Sequence, residues 1–246
     1  MVSVVISQPM LFAWPGFFEQ LSLADVFVHL DDVQFSKGSF TNRIQLKFPE
    51  GRRWMTIPLA GKGSFQTIAS LCASDPEWRK SHVALLRQSL AGTPYVADVL
   101  DLVDRVHAET NLCDLLIAST DLTAEYLGIG QDRQILRSSA LGLSSASSER
   151  VLEIVKSVGG TRYLTGHGAA GYLDHALFER AGIAVEYMDY SLTPWPQGGK
   201  EGGSGGGFTP YVSVLDLIAR TGKAAADYLR PATLPWQEFI KREEVA

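Results

Sequence analysis

Cysteine is scarce in this sequence, with only Cys72 and Cys113 among 246 residues. Neither belongs to a CxxC pair or to a Cys/His spacing, so we expect neither a disulfide framework nor a structural zinc site, and we assign no metal ligands. Long apolar runs are also missing, and no segment approaches the roughly 20 residues of a membrane helix. The first apolar stretch is too short for a signal peptide and lacks its cationic flank. We therefore predict a cytoplasmic protein without a membrane span.

A surplus of basic residues is absent as well. The formal net charge is −5, which argues against a protein whose main partner is duplex nucleic acid. Hydrophobic residues make up 46% and charged residues 20% of the chain, which is typical of a globular protein rather than a disordered one.

The hydrophobic pattern indicates an α/β fold. Val2 to Ser7 and Val26 to Leu30 are apolar, β-branched runs typical of strands that are buried on both faces, and a short aromatic helix lies between them. After Gly128, strand and helix patterns again alternate with short loops, which is the signature of a parallel sheet. We predict a mostly parallel Rossmann-like sheet with flanking helices, a β-hairpin insertion and a helical middle segment.

The same pattern divides the chain into three parts. Residues 1–74 form an N-terminal α/β part that includes the hairpin, because hydrophobic residues alternate with polar ones after Arg43 and a Pro-Glu-Gly turn follows. Residues 75–130 form a helical segment. Within it, Asp75 and Pro76 predict a helix that starts at Pro76, and a later helix is predicted from Leu112 to about Leu127. Residues 131–246 form a C-terminal α/β part. We expect the three parts to pack into one compact unit.

Polar residues follow the apolar strands instead of preceding them. Such positions include Gln8, Asp31, Asp32, Arg137, Ser138, Gly166 and His167. Because ligands bind at the carboxyl ends of parallel strands, this shared direction predicts a small-molecule site there.

Three of these residues are our candidates for catalysis. Asp31 and Asp32 fit a general base, an anchor for a substrate amine or a magnesium ligand, and a turn pair that caps the next loop is the alternative. His167 lies between Gly166 and Gly168, where it can act as a competing base or be a simple turn histidine. The small residues around it would let the backbone approach a phosphate or acyl group.

Other residues are candidates for substrate binding. Lys37 and Arg43 can bind phosphate or carboxylate, unless they belong to a solvated loop. Trp14 fits a pocket for a sugar or a base, although a core position is the more common role of such an aromatic residue. His82 is retained as a candidate, although a core-facing, hydrogen-bonded histidine is the interpretation that its helix favours. The amide residues of the same region, Gln34 and Asn42, complete this group.

Several segments resemble the WbqC-like family. They include QPMLFAWPGFF (8–18), ADVFVHLDDVQFSK (24–37), NRIQL (42–46), RYLTGHGAAGYLD (162–174) and FTPYVSVLDLIARTG (208–222). The resemblance implies a cytoplasmic bacterial enzyme encoded among polysaccharide and O-antigen genes, and it suggests transfer of glycine or a similar acyl group. Residues in or beside these segments extend the binding candidates to Tyr172, Gln197, Ser213 and Asp216.

The chain departs from the family pattern in two places. Leu11 to Trp14 replaces a YFPW segment, and Gly198 to Gly207 is a glycine-rich expansion. The expansion would alter a lid over Ser213 and Asp216, which suggests a different acyl donor or a secondary-metabolite setting.

We therefore predict an acyl or aminoacyl transferase that forms an amide on an amino-sugar or a related amine. Its donor would be an acyl-CoA, another activated acyl compound or a nucleotide, its acceptor an amine or a nucleotide-sugar, and a homodimer is compatible with the sequence. An ATP-dependent nucleotidyltransferase or ligase and a non-catalytic sugar-binding scaffold are the alternatives.

Overall fold

A computed structural model describes residues 1–61, 64–130, 132–197 and 207–243 of the protein. Its strands are β1 (Ser3–Ser7), β2 (Val26–His29), β3 (Arg43–Phe48), β4 (Gly51–Thr56), β5 (Gln134–Arg137), β6 (Arg162–Thr165), β7 (Ala184–Met188) and β8 (Thr233–Pro235). Its α-helices are α1 (Pro15–Ser22), α2 (Trp78–Ser89), α3 (Val96–His107), α4 (Leu112–Leu127), α5 (Ser147–Ser157), α6 (His175–Arg180), α7 (Val214–Thr221) and α8 (Trp236–Glu243).

Six of the strands form one sheet in the order β5-β2-β1-β6-β7-β8. All pairs are parallel except β7 with β8, which is antiparallel. Apart from the direction of β8, this is the strand order of a dinucleotide-binding sheet, in which the chain switches sides next to the first strand. The predicted α/β class with a mostly parallel, Rossmann-like sheet is confirmed.

The sheet is covered on both faces, as its continuous apolar strands require. Val4 and Ile6 of β1 pack into a core formed with α5, α6 and α8. Val5, which lies between them in sequence, packs into a larger core on the opposite face, formed with α1, α3, α4 and α7. Alternate side chains of a strand point to opposite faces, so β1 contributes to both cores.

The chain between β2 and β5 is an insertion that builds the hairpin and three helices. Strands β3 and β4 pair antiparallel from Arg43 opposite Thr56 to Phe48 opposite Gly51. The hairpin is attached to the rest of the molecule by main-chain hydrogen bonds, including one of 2.9 Å from Ser213 N to Gln45 O. The predicted hairpin insertion and helical middle segment are therefore confirmed.

Local signals fix some helix ends and move others. Helix α4 has the predicted bounds because the Asn111 side chain accepts a hydrogen bond from Asp114 N at 3.1 Å and Gly128 adopts a left-handed conformation. Helix α2 begins at Trp78, later than the predicted Pro76, because Asp75 instead forms a local turn by accepting from Glu77 N at 2.9 Å.

No helix in the described ranges is both long enough and apolar enough to cross a membrane.

Candidate functional site

A cavity of about 940 Å³ lies between the hairpin, the loop after β2, the loop after β4 and the first turns of α2. Five of the predicted site residues line it, namely Gln34, Lys37, Asn42, Arg43 and His82. In sequence, these residues are separated by up to about half the length of the insertion between β2 and β5. The packing of the insertion brings them together.

The loop after β2 is held in place by a second extended segment. Gln34 and Thr67 form an antiparallel bridge. Phe35 N donates to Gln66 O at 2.9 Å, and Ile68 N donates to Val33 O at 3.0 Å. Main-chain pairing of this kind fixes the wall of the cavity that carries Gln34.

Asn42 and Arg43 are also fixed. Asn42 is buried and its Nδ2 donates to Ile57 O at 2.8 Å. The Arg43 guanidinium donates to Gly38 O and lies 4.2 Å from the ring centroid of Trp54. Gly38 has a φ of +88°, a conformation that residues with a side chain rarely adopt, so glycine suits the turn that meets Arg43.

Among the described residues, the cavity wall carries more positive than negative charge. Lys37 and Arg43 are cations of this wall, and Asp75 is an acidic residue that also lines it. Lys37 is exposed and makes no ion pair with any residue in the part of the chain that the structure describes. A phosphate or carboxylate group of a ligand would complement these two cations.

His82 forms part of the buried wall. Its side chain packs edge-on against Trp78, with ring centroids 4.7 Å apart. Burial lowers the pKa of His82, and the main chain of Thr56 opposes this shift in part. The imidazole is therefore neutral at pH 7 and can accept a proton or a hydrogen bond.

Asp31 and Asp32 do not line this cavity. Asp31 is buried and accepts hydrogen bonds from the main-chain N–H of Ser139 at 3.0 Å and from its hydroxyl at 2.8 Å. Asp32 accepts from the Ser138 hydroxyl at 2.6 Å and pairs with Arg150 at 2.5 Å. The two carboxylates join the carboxyl ends of β2 and β5 to α5.

His167 lies at the carboxyl end of β6, also outside the cavity lining. Its Nε2 is 2.8 Å from Met188 O, and its ring packs 5.0 Å from that of Tyr190. Trp14 packs against the same Tyr190 at 4.7 Å. A β-carbon on Gly166 would lie 2.9 Å from the Tyr190 hydroxyl, so a glycine at this position leaves room for that side chain. These residues form a second polar and aromatic group, next to the point where the chain switches sides of the sheet.

The remaining candidates lie elsewhere. Arg137 pairs with Asp114 at 2.7 Å, and Tyr172 is 52% exposed. Gln8 is partly buried after β1, and Gly168 is exposed beside His167.

Gln197, Ser213 and Asp216 belong to a polar network near α7. Gln197 Oε1 accepts from Lys47 Nζ at 2.9 Å, and the buried Asp216 accepts from Trp195 Nε1 at 2.8 Å. Ser213 caps α7 by accepting from Leu215 N. Apart from Gly207, the glycine-rich expansion predicted to affect a lid lies outside the described residues.

Most of the cavity wall consists of residues that were not among the sequence candidates. Four that bear polar or aromatic side chains are Thr56, Gln66, Asp75 and Trp78. Trp78 had a usable signal, because it precedes His82 by four residues and so lies on the same helical face. The other three reach the cavity only through the folding of the loops, which leaves no periodic trace in the sequence.

Comparison with known proteins gives a consistent family. The model of the WbqC-like protein family matches residues 8–228. A curated relative, "Uncharacterized protein Rv1507c" from Mycobacterium tuberculosis (strain ATCC 25618 / H37Rv), is 30% identical over 235 residues, which cover 94% of this chain and 98% of the relative. No solved structure matches the chain.

Proposed function

This chain belongs to the WbqC-like protein family, and we propose that it is a transferase that moves an acyl or aminoacyl group from an activated donor to an amine. The acceptor would be an amino-sugar or a related amine used in polysaccharide or secondary-metabolite biosynthesis. The observation that carries this proposal is the cavity, which combines two cations, several amides and a buried neutral histidine.

Each of these groups suits a requirement of amide formation. The donor is an activated acyl compound such as an acyl-CoA, and its phosphates would bind to Lys37 and Arg43. Amide and main-chain N–H groups of the wall would orient the acyl group and the amine and stabilise the developing oxyanion. A volume of about 940 Å³ is in the range of cavities that hold molecules of this size.

The strand order of the sheet favours a second candidate function, an ATP-dependent nucleotidyltransferase or ligase. Dinucleotide-binding sheets share this order and bind nucleotides at the carboxyl ends of the strands. Release of pyrophosphate by nucleotidyl transfer, or of AMP or ADP by ligation, that depends on the acceptor and is measured with Mg-ATP as the sole donor would support this reaction over acyl transfer.

The proposed donor site can be tested with Lys37→Ala. We expect the affinity for acetyl-coenzyme A to fall about tenfold, or about 1.4 kcal/mol, because one charge-assisted contact to phosphate is lost. The dependence of binding on salt should also weaken. Isothermal titration calorimetry at two salt concentrations would measure both effects.

Lys80→Ala is the matched control, because Lys80 is an exposed lysine that pairs with Glu77 and does not line the cavity. Equal affinities of Lys37→Ala, Lys80→Ala and the unmodified protein would contradict the assignment of the donor site.

A further inference from the structure

His82 is a buried polar residue that the main chain of Thr56 approaches without forming a hydrogen bond of normal geometry. Its exposure is 4%, and neither ring nitrogen makes a hydrogen bond of normal geometry with a residue in the described part of the chain. An unsatisfied buried polar group costs about 1–3 kcal/mol, so native structures seldom retain one without a function. Both nitrogens are shielded from water in this structure, whereas other atoms of His82 line the cavity, so a bound ligand becomes their partner after a small shift of the side chain.

Packing holds the imidazole in place. Trp78 contacts it from one turn earlier on α2 and also lines the cavity. His107 of α3 packs on the same indole, with ring centroids 5.1 Å apart, but does not line the cavity. A ring that is fixed by aromatic packing can receive a proton in a defined direction.

The surroundings of the ring keep it uncharged. Burial lowers the pKa of His82 below its usual value. The ionisable groups around it are His107 from α3, Arg79 on its own helix, and Lys37, Arg43 and Asp75 on the cavity wall.

We propose that His82 is the base that accepts the proton of the attacking amine, an inference that rests on the proposed acyl transfer. The amine nitrogen forms a bond to the carbonyl carbon of the activated donor. The bond from that carbon to the leaving group breaks, and the leaving group takes the electron pair. The proton lost by the nitrogen passes to a free ring nitrogen of His82 and then to the leaving group or to water.

The geometry favours His82 over the three residues predicted from sequence. Asp31 and Asp32 already accept hydrogen bonds from the Ser138–Ser139 turn, and Asp32 also pairs with Arg150. His167 is committed through Nε2 to Met188 O. His82 alone among these four lines the cavity.

The test compares His82→Gln with His107→Gln, which changes the other histidine that packs on Trp78. The assay supplies acetyl-coenzyme A, or glycine with ATP, together with a nucleotide-linked amino sugar, and follows amide formation by mass spectrometry. We expect His82→Gln to lower kcat by about 10²-fold or more, with KM changed less than about threefold. His107→Gln should keep the activity of the unmodified protein.

A second readout separates proton transfer from a structural role. In the unmodified protein, kcat/KM should fall as the pH drops below the lowered pKa of His82, and this acidic limb should vanish from the residual activity of His82→Gln. If His82→Gln does not fold, His82→Phe keeps the aromatic contact with Trp78 and removes both nitrogens.

The outcomes distinguish the two proposals. Full activity of a folded His82 variant, or an acidic limb of kcat/KM that persists unchanged in a folded His82 variant, would overturn the role of His82 and leave acyl transfer standing. An unmodified protein that transfers no acyl group from either donor would overturn the proposed function, and the proton step with it.

Discussion

At the scale of single residues, the molecule separates polar side chains that are fully partnered from those that are not. The buried carboxylate of Asp31 accepts two hydrogen bonds from Ser139, while the Ser138 hydroxyl, which has a single proton, lies 2.6 Å from Asp32 and 3.2 Å from Asp31. Lys37 and His82 instead line the cavity, and within the described ranges Lys37 makes no ion pair and His82 makes no hydrogen bond of normal geometry. Polar groups whose hydrogen bonds are all formed stabilise the fold, whereas polar groups with unformed hydrogen bonds are available to a ligand.

Replacement of Asp31 by Asn tests this distinction. Asparagine replaces one of the two carboxylate oxygens with an NH₂ group, which accepts no hydrogen bond, so one of the two donors of Ser139 loses its acceptor. We therefore expect a loss of about 1–3 kcal/mol in the free energy of unfolding. For a chain of this length, each kcal/mol corresponds to a fall of about 2–4 °C in Tm. Differential scanning calorimetry would measure the change.

Asp114→Asn is the control, because Asp114 forms a surface ion pair with Arg137 at the same end of β5, and such pairs contribute little. If Asp31→Asn melts at the temperature of the unmodified protein, the carboxylate is not structural, and the predicted catalytic role of Asp31 regains its weight.

At the scale of elements, α2 and α3 are joined through an aromatic contact that contains two histidines. His82 and His107 both pack on Trp78, and their ring centroids are 6.4 Å apart. Burial lowers the pKa of His107 to about 4, with smaller contributions from His82 and Arg79. Both helices therefore pack best when the two rings are neutral.

This contact predicts a pH dependence of stability. The unfolded chain binds a proton at His107 near pH 6.5, whereas the folded protein does so only near pH 4. The unfolded state thus holds more protons in this window, so the free energy of unfolding falls as the pH is lowered from about 6.5 towards 4.

Over this pH range, we expect the free energy of unfolding of His107→Gln to fall by about 1–2 kcal/mol less than that of the unmodified protein. The difference is no larger because partial exposure screens the charge of His107. Urea unfolding of both proteins at several pH values would measure the difference. Identical pH profiles of the two proteins would show that His107 titrates normally in the folded state.

The elements also show which features the sequence could predict. The bounds predicted for α4, Leu112 to about Leu127, agree with the structure, in which Asn111 and Gly128 fix the helix ends locally, through a hydrogen bond and a backbone conformation within a few residues. The start of α2 was misplaced by two residues because Asp75 and Pro76 are compatible with both a helix start and a preceding turn. The parallel sheet was predictable because its signal is also local. A continuous apolar run within one strand indicates that the strand is buried on both faces.

At the scale of the whole molecule, two regions compete for the ligand. The strand order points to the switch point of the sheet, which is formed by the carboxyl ends of the neighbouring strands β1 and β6 and carries Gln8 and Gly166. The cavity instead belongs to the insertion between β2 and β5. The sequence predicted the polar strand ends, but the cavity arises from contacts between segments around residues 34–43, 56–61 and 78–82, which no local pattern encodes.

Hydrogen exchange of the main-chain amides can decide between the two regions. A ligand stabilises the segments that it contacts against local opening. With saturating acetyl-coenzyme A, we expect slower exchange in residues 34–43 and 56–61, where Phe35 N already bonds to Gln66 O across the cavity wall. Residues 166–170, where Ala169 N bonds to Gly166 O at the switch point, should exchange at an unchanged rate. Helix α6 serves as the internal reference, since it contributes to neither region. Protection confined to residues 166–170 would move the ligand to the switch point and restore His167 as the nearest base.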